Sequence, residues 1–559
     1  MQDKIIIYQI FTRLFGNTNS TRKENGTIEE NGCGKMNGFT PSVLRRIKDL
    51  GITHVWYTGI IRHATTTDYS AYGIPRQHPA VVKGNAGSPY AITDYYDIDP
   101  DLAVNVDKRM HEFENLVKRT HAAGLKIIID FVPNHVARQY KSTAKPKGVA
   151  DFGEDDDTSK HFYPMNNFYY CPGTDFAPDI DLYHGCEEPY QEFPAMATGN
   201  DCFSNRPGKN DWYETVKLNY GVDYCDAGGM SKHFYPTPDT WTKMRDILLF
   251  WAGKGVDGFR CDMAEMVPSE FWKWVTAEVN KKFKHLIFIG EVYNPARYRE
   301  YIHAGFNYLY DKVGMYDCMR DVICGHRAAA EITRQWQYTD DIADNMLYFL
   351  ENHDEQRLAS DFFAGNGKKG IPALIVNTMM RKNPFMIYAG QEYGEHGMDK
   401  EGSSGKDGRT TIFDYWSVDS LIHGFCSRRQ LTKEEKELEA IYKKVLNIAN
   451  KEKAVAEGEF FDLMYVNPSS DKFDASRQYA FLRKFKKEAL LVVANFSDDS
   501  VNIEVNIPQH AIEYLGLPTG IKQATDLMSG DTNAVCINGN VPIKLMINGN
   551  SAKVMKIKI

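Results

Sequence analysis

The chain contains no apolar run approaching the roughly 18 residues that a membrane span needs. Its opening, "MQDKIIIYQIFTRLFG", lacks the charged head, long apolar stretch and small-residue cleavage site of a signal peptide. These absences argue against a membrane partner and for a cytoplasmic protein, with a periplasmic or secreted one left open if a leader was removed. Paired cysteines are missing too: ten cysteines are scattered over 559 residues with no C-x-x-C spacing. Cys261, inside a strand-like run beside Asp262, reads as a small buried apolar group, which weighs toward a reducing compartment. There is no basic excess either. The net charge is −8 and the pI is about 6.1, with lysines and arginines interspersed among acids, so nothing offers an electrostatic footprint for nucleic acid or an anionic membrane. Neutral partners fit better; the oligomeric state is unknown from sequence.

What is present is ordinary globular composition, 43% hydrophobic and 25% charged, in a chain long enough for two to four domains. Aromatic residues make up 13%, enough for a core and also for a cleft that stacks on sugar rings. Eight short apolar runs read as strands: "KIIIYQI" (4–10), "THVWYTG" (53–59), "LKIIIDF" (125–131), "VDGFRCD" (256–262), "LIFIGE" (286–291), "NYLYD" (307–311), "MLYFLENHD" (346–354) and "PFMIYAG" (384–390). Helical patterns lie between them. "TPSVLRRIKDLG" is one, "VDKRMHEFENLVKRTHAAG" carries Val106, Met110, Phe113, Leu116 and Val117 at helical spacing, and "TPDTWTKMRDILLFWAGKG" opens on a Thr-Pro start and ends on glycine. Strand and helix alternating eight times predict an α/β fold, a (β/α)8 TIM barrel.

The third and fourth strands are separated by far more chain than one crossover helix needs. The excess is rich in Gly, Pro, Asn, Asp and Tyr, and reads as an inserted subdomain over the barrel mouth. Its "GEDDDTSK" (153–160) reads as a solvated loop rather than a metal site. After Lys451 the chain turns to short alternating segments, "QYAFLRKF", "ALLVVANFS", "VNIEVNI" and "AKVMKIKI", punctuated by turn residues, hence a C-terminal antiparallel β-sandwich. The expected division is therefore a catalytic barrel over 1–135 and 237–450, the inserted subdomain over 136–236, and the sandwich over 451–559. No internal repeat or low-complexity tract is present.

Four of the strands end alike, with an apolar run that stops at acids and imidazoles: "IIIDFVPNHV", "GFRCDMAEM", "FIGEVYN" and "FLENHDEQR". In a barrel, these ends share one face, so Asp130, Arg260, Asp262, Glu291, His353 and Asp354 converge despite their separation in sequence. Arg260 and Asp262 are two apart and leave the same side of their strand, so each can neutralise the other. Several carboxylates, an arginine and imidazoles on one face suit glycosidic bond cleavage, whose cationic transition state is flanked by a nucleophilic carboxylate and a protonated acid.

In their order and on strands three, four, five and seven, these segments resemble the four signature regions of the α-amylase superfamily, glycoside hydrolase family 13. The resemblance spans nearly the full chain. It implies a retaining α-glucan hydrolase, with Asp262 as nucleophile, Glu291 as general acid/base, and Asp354 as the third carboxylate that orients the sugar hydroxyls. It also implies that Arg260, His135 and His353 support the sugar at the cleavage subsite. Tyr90, four residues before Asp94 in "SPYAITDYY", would stack beneath that ring. "VKLNY" (216–220) is similar to the fifth region, at the end of the inserted domain. Asp130 is read as a hydrogen-bonding residue at the barrel end rather than a direct catalyst.

Two departures from the family pattern matter. Where many amylases carry Lys-His just after the nucleophile strand, this chain has Glu265 and Met266, and a methionine side chain cannot imitate histidine. Asn134 matches a common calcium ligand, so the expectation is that no cofactor is required, with Ca2+ at Asn134 as the alternative. Met263, after the nucleophile, is neither the small residue associated with α-1,4 specificity nor the valine associated with α-1,6, so the linkage stays open although α-1,4 is expected. The substrate expected is starch, maltooligosaccharide or pullulan. A transglycosylase or glucosyl isomerase using the same covalent intermediate is the alternative. A non-catalytic glycan-binding or transporter-associated member is disfavoured, since all three acids are present.

Overall fold

The computed structural model describes residues 4–397, 400–402 and 406–559. Eight parallel strands close into a barrel: β1 (Ile6–Phe11), β2 (His54–Thr58), β3 (Lys126–Phe131), β4 (Gly258–Cys261), β5 (Ile287–Gly290), β6 (Tyr308–Tyr310), β7 (Met346–Phe349) and β8 (Phe385–Tyr388). They follow one another around the ring in chain order, β8 pairing with β1. Every run read as a strand from the sequence is one.

Helices form the outer layer wherever the apolar spacing is helical. α1 (Pro41–Asp49) starts at Thr40, whose side chain accepts from the Val43 N–H, and has proline in its first turn, where the missing N–H costs nothing. It buries Val43, Leu44 and Ile47. α2 (Arg109–Ala122) buries Phe113, Leu116 and Val117, while Val106 falls in the 3-10 turn that precedes it. α3 (Asp239–Gly253) and α4 (Ser269–Asn280) flank β4, and their Trp251 and Trp272 are fully buried against the barrel wall.

Inside the barrel, the two-residue period of the strands sorts side chains into layers. Ile7, Trp56, Ile128, Ile289, Leu347 and Met386 form one apolar cluster at the lower level. Two residues further along the same strands stand Gln9, Asp130 and Glu291. β4 has only Gly258 at the lower level, because a Cβ there would lie 2.4 Å from Ile287 Cγ1. The switch from apolar to charged occurs within one strand period, and it sets the floor of the site.

The chain between β3 and β4 forms three short two-stranded ribbons: His135–Ala137 with Thr215–Lys217, Tyr170–Cys171 with Ala195–Met196, and Val222–Asp223 with Ser231–Lys232. It leans on the loop after β2 through a small core of Ala80, Val81, Phe176, Tyr190 and Ala195. Arg138 holds it together, paired with Glu192 at 2.6 Å and stacked 3.8 Å from the Phe176 ring centroid. The acidic run read as a solvated loop is mostly exposed, but Asp156 accepts from the Asn167 and Phe168 N–H groups and from the Tyr170 hydroxyl, so it also folds this segment back on itself.

The C-terminal part carries a six-stranded antiparallel sheet, in the order β9 (Glu459–Asp462), β10 (Gln478–Phe485), β11 (Glu488–Asn495), β16 (Ser551–Lys558), β13 (Gly520–Asp526), β14 (Thr532–Ile537). A ribbon of β12 (Val501–Val505) and β15 (Ile543–Ile547) accompanies it. Buried Arg483 of β10 donates to the carbonyls of Met380, Ala454, Val455 and Gly458, tying the sheet to the barrel's edge. All ten cysteines are free thiols, and among the described residues no helix is long and apolar enough to cross a membrane.

Candidate active site

The carboxyl ends of β3, β4, β5 and β7 bring Asp130, Arg260, Asp262, Glu291, His353 and Asp354 together, as the strand pattern predicts. Arg260 is their hub and is fully buried. Its Nη1 donates to Asp262 Oδ1 at 2.6 Å, and its Nη2 lies 2.9 Å from Glu291 Oε2. Asp130 and Asp354 stand further off, at 3.8 and 3.9 Å. Burial alone would lower the arginine's pKa, but Glu291, Tyr310, Tyr90 and Asp262 around it hold it well above its ordinary value. It is a permanent cation.

Register fixes the relation of the two nearest acids. Arg260 pairs with Ile289 and Cys261 with Gly290 across β4 and β5, so Asp262 and Glu291 come next at the same height on adjacent strands. Both keep the ladder going for one further step: the Asp262 N–H donates to the Phe131 carbonyl and the Glu291 N–H to that of Cys261. Immediately after Asp262 the backbone turns. Met263 sits in the left-handed region at φ 43°, ψ 42°, and its N–H thereby points to Glu291 Oε2 at 2.8 Å. The other oxygen of Glu291 accepts from the Tyr293 hydroxyl at 2.6 Å.

Burial raises the pKa of both acids, and Arg260 opposes the rise in each. For Asp262 the arginine acts as a charge and as a hydrogen-bond donor, so its ionised form is the better supported of the two. Asp354 is raised well above its ordinary value by burial and by the neighbouring Glu291, although about 36% of its side chain opens to the cleft. Burial pushes Asp130 up to about 7, against Arg260, Trp56 and the Gly59 N–H; the latter donates to Asp130 Oδ2 at 3.2 Å.

His353 and His135 are both buried and held neutral, His135 pushed down to about 4 by burial. The Gln9 amide nitrogen donates to His353 Nδ1 at 2.7 Å, which leaves the proton on Nε2. That nitrogen faces the Tyr90 hydroxyl and, at 3.2 Å, Asp354 Oδ2. Tyr90 also lays its ring 5.4 Å from the Arg260 carbon and lines the cleft. His135 lines the opposite wall beside Trp212, with ring centroids 5.5 Å apart.

Above this floor lies a cavity of about 200 Å³, walled by three loops. Lys83, Ser88 and Tyr90 come from the loop after β2, Trp212, Glu214 and Thr215 from the inserted segment, and Ile412 and Phe413 from the loop after β8. Lys83 bridges two walls, 3.4 Å from Glu214 and over the Phe413 ring. Of these wall residues sequence reading found only Tyr90, and it also missed Gln9, Trp56, Tyr293 and Tyr310, the last of which accepts from Arg260 Nε at 3.2 Å. A signal existed for Gln9, Trp56 and Tyr310: each is an inward strand position with a polar atom near the carboxyl end.

Asn134, the residue considered for calcium, does not face the cleft. Its Oδ1 accepts from the Lys217 ammonium, and its Nδ2 donates to the Gly199 carbonyl at 2.7 Å. Among the described residues no cluster of three or more His, Cys, Asp or Glu side chains is placed to hold a metal ion.

Comparison with known proteins agrees with this geometry. The model of the α-amylase catalytic domain matches residues 9–458. α-Amylase 3 of Dictyoglomus thermophilum is 24% identical over 538 residues, covering 91% of this chain and 88% of its own length. Neopullulanase 2 of Thermoactinomyces vulgaris is 23% identical over 70% of this chain, which spans only 57% of that relative. The crystal structure of the α-amylase of Geobacillus thermoleovorans, complexed with acarbose, superposes with a TM-score of 0.65 at 18% identity, covering 100% of this chain and 98% of that one. With the catalytic-domain model matched over most of its length, on a closed eight-stranded barrel with acids gathered at its carboxyl face, the chain belongs to the α-amylase family of glycoside hydrolases.

Proposed function

We propose that this protein hydrolyses α-1,4 glucosidic bonds of short α-glucans with retention of configuration. Asp262 attacks the anomeric carbon to form a glucosyl-enzyme ester while Glu291 protonates the departing oxygen. Glu291 then takes a proton from water as that water displaces the ester. Asp354, about a third open to the cleft and beside neutral His353, accepts from the sugar hydroxyls, and Tyr90 forms the platform under the ring.

The observation that carries this reading is the shared guanidinium. One Arg260 side chain reaches Asp262 at 2.6 Å and Glu291 at 2.9 Å from adjacent strands in matched register. Neighbouring strands are about 4.8 Å apart, which favours the roughly 5 to 5.5 Å carboxyl separation of retaining enzymes over the 6.5 to 9.5 Å that an attacking water requires. Short substrates are favoured because a 200 Å³ cavity lies below the usual range of about 300 to 1,000 Å³ for ligand pockets, room for only a ring or two below the rim. Relatives named α-amylase and neopullulanase support an α-glucan substrate.

Proton NMR during the first minutes of maltotetraose digestion tests the reading. The newly released reducing end should carry the α-anomer before mutarotation. An initial β-anomer would overturn the assignment of Asp262 as nucleophile. Products longer than the substrate when maltose is added would instead place the enzyme among the transglycosylases.

A further inference from the structure

Where family resemblance offers a calcium site, this chain has placed a charge of its own. Lys217 is 2% exposed, at the seam between the inserted segment and the barrel rim. Its ammonium lies 2.7 Å from Asp201 Oδ1, donates to Asn134 Oδ1, and points to the Met266 carbonyl at 3.4 Å. The Tyr224 ring centroid is 5.7 Å away. Asn134 and Met266 follow β3 and β4, whereas Asp201 and Lys217 belong to the insertion. An ammonium has three N–H donors and here finds three oxygens, from both sides of the seam.

The donor set does not fit calcium. That ion takes six to eight oxygens at 2.3–2.6 Å, whereas this seam offers three oxygens around a buried cation that would repel it. The strand register shows how the replacement is built. His135 pairs with Lys217 across the ribbon, so the lysine side chain rises beside Asn134, one residue before His135. Asp201 reaches it from a loop in which its own backbone takes φ 67°, a conformation that Asp adopts more readily than most residues.

We propose that the Lys217 ammonium is a resident cation that takes the place of a structural metal ion, binding the inserted segment to the barrel through Asn134, Asp201 and the Met266 carbonyl and making the fold independent of calcium. The wall of the cleft depends on this seam, since His135 and Thr215 belong to the same ribbon as Lys217.

The test combines titration with two substitutions. Calcium chloride added to the metal-free native protein should give no saturable heat, and EDTA or millimolar calcium should move the melting temperature by no more than about 1 °C. Lys217→Met keeps the stem and removes the charge; it should lower the melting temperature by several degrees, speed proteolytic cleavage within 136–236, and remain unresponsive to calcium. Lys217→Asp converts the seam into an all-oxygen site, so it should be destabilised in EDTA and regain much of the loss when calcium is added. Saturable calcium binding by the native protein that Asn134→Ala abolishes would overturn the proposal. So would a Lys217→Met variant with native melting temperature, or a Lys217→Asp variant that calcium leaves unchanged. Should Lys217→Met not fold, the native titration and the calcium response of Lys217→Asp still decide.

Discussion

Arg260→Gln should damage the enzyme in a way that a merely structural arginine would not. In the native protein the guanidinium lies 2.6 Å from Asp262 and 2.9 Å from Glu291, in a site from which it is fully shielded. With charge centres about 4 Å apart and an effective dielectric constant of about 20, each such pair is worth about 4 kcal/mol. That agrees with the 3–5 kcal/mol lost when one partner of a buried pair is removed. If most of this is lost from the transition state, kcat/KM on maltotetraose falls about 10²- to 10³-fold. The pH profile gives the sharper readout. Burial raises the Asp262 pKa and Arg260 opposes it, so without the arginine the carboxylate ionises only at higher pH. The ascending acid limb of kcat/KM should therefore move to higher pH. Arg260→Lys restores the charge but not the two-pronged fork, so its acid limb should return toward native while the rate stays depressed. An Arg260→Gln enzyme within tenfold of native, with its acid limb unmoved, would refute this reasoning.

Asp262→Asn should cost about 10⁴-fold or more in kcat, since no ester can form, and steady-state kinetics on maltotetraose that show less than a tenfold loss would remove it as nucleophile. Glu291→Gln keeps the shape but has no proton to give, so fluoride or nitrophenyl α-glucosides should suffer much less than maltooligosaccharides; equal losses would exclude Glu291 as the acid. Asp130, pushed up to about 7 by burial, holds a proton in the folded state that the unfolded chain gives up near its ordinary value of 3.8. Its contribution to stability therefore falls as pH rises from about 4 to about 7 and is flat above that. Asp130→Asn should make the decline in melting temperature across that window shallower, and an unchanged slope by differential scanning fluorimetry would count against the assignment.

The barrel was legible because its information is local and periodic. β-Strands ending in Asp130, Asp262, Glu291 and His353–Asp354 announce themselves by a break in apolar character, and two-residue spacing says which side chains share a face. Gln9 belongs to the same layer and Trp56 and Tyr310 pack against Arg260 beside it, yet an amide or aromatic on a barrel strand looks like core until the barrel closes around Arg260. The walls were illegible for a different reason. Trp212, Ile412 and Phe413 lie in long irregular segments, where neither period nor turn chemistry dictates which side chain faces inward. Lys217 was harder still. Nothing in "VKLNY" marks it as buried, and its burial follows only from the antiparallel pairing that sets it opposite His135.

The layer at the carboxyl face also bears on how two chemically similar acids could take the opposite roles the proposed reaction gives them. Asp130, Asp262, Glu291 and Asp354 surround a single guanidinium, and His353 and His135 contribute no positive charge. Four ionised carboxylates around one cation, shielded from water, would repel one another strongly, so the site retains protons before substrate arrives. Burial raises all four acids, and what differs is the opposition each receives. Asp262 has the shortest contact with Arg260 and accepts its hydrogen bond. Glu291 is near the same cation but also feels the charge of Asp262, which raises it further. Asp354 lies 3.9 Å from the guanidinium and is raised again by Glu291. Asp262 is therefore the carboxylate whose ionised form Arg260 supports most directly, as a charge and as a hydrogen-bond donor. A nucleophile that is ionised beside an acid that is not is the division the proposed reaction needs. Here it is favoured by the guanidinium's hydrogen bond to Asp262 and by the charge of Asp262, which raises Glu291.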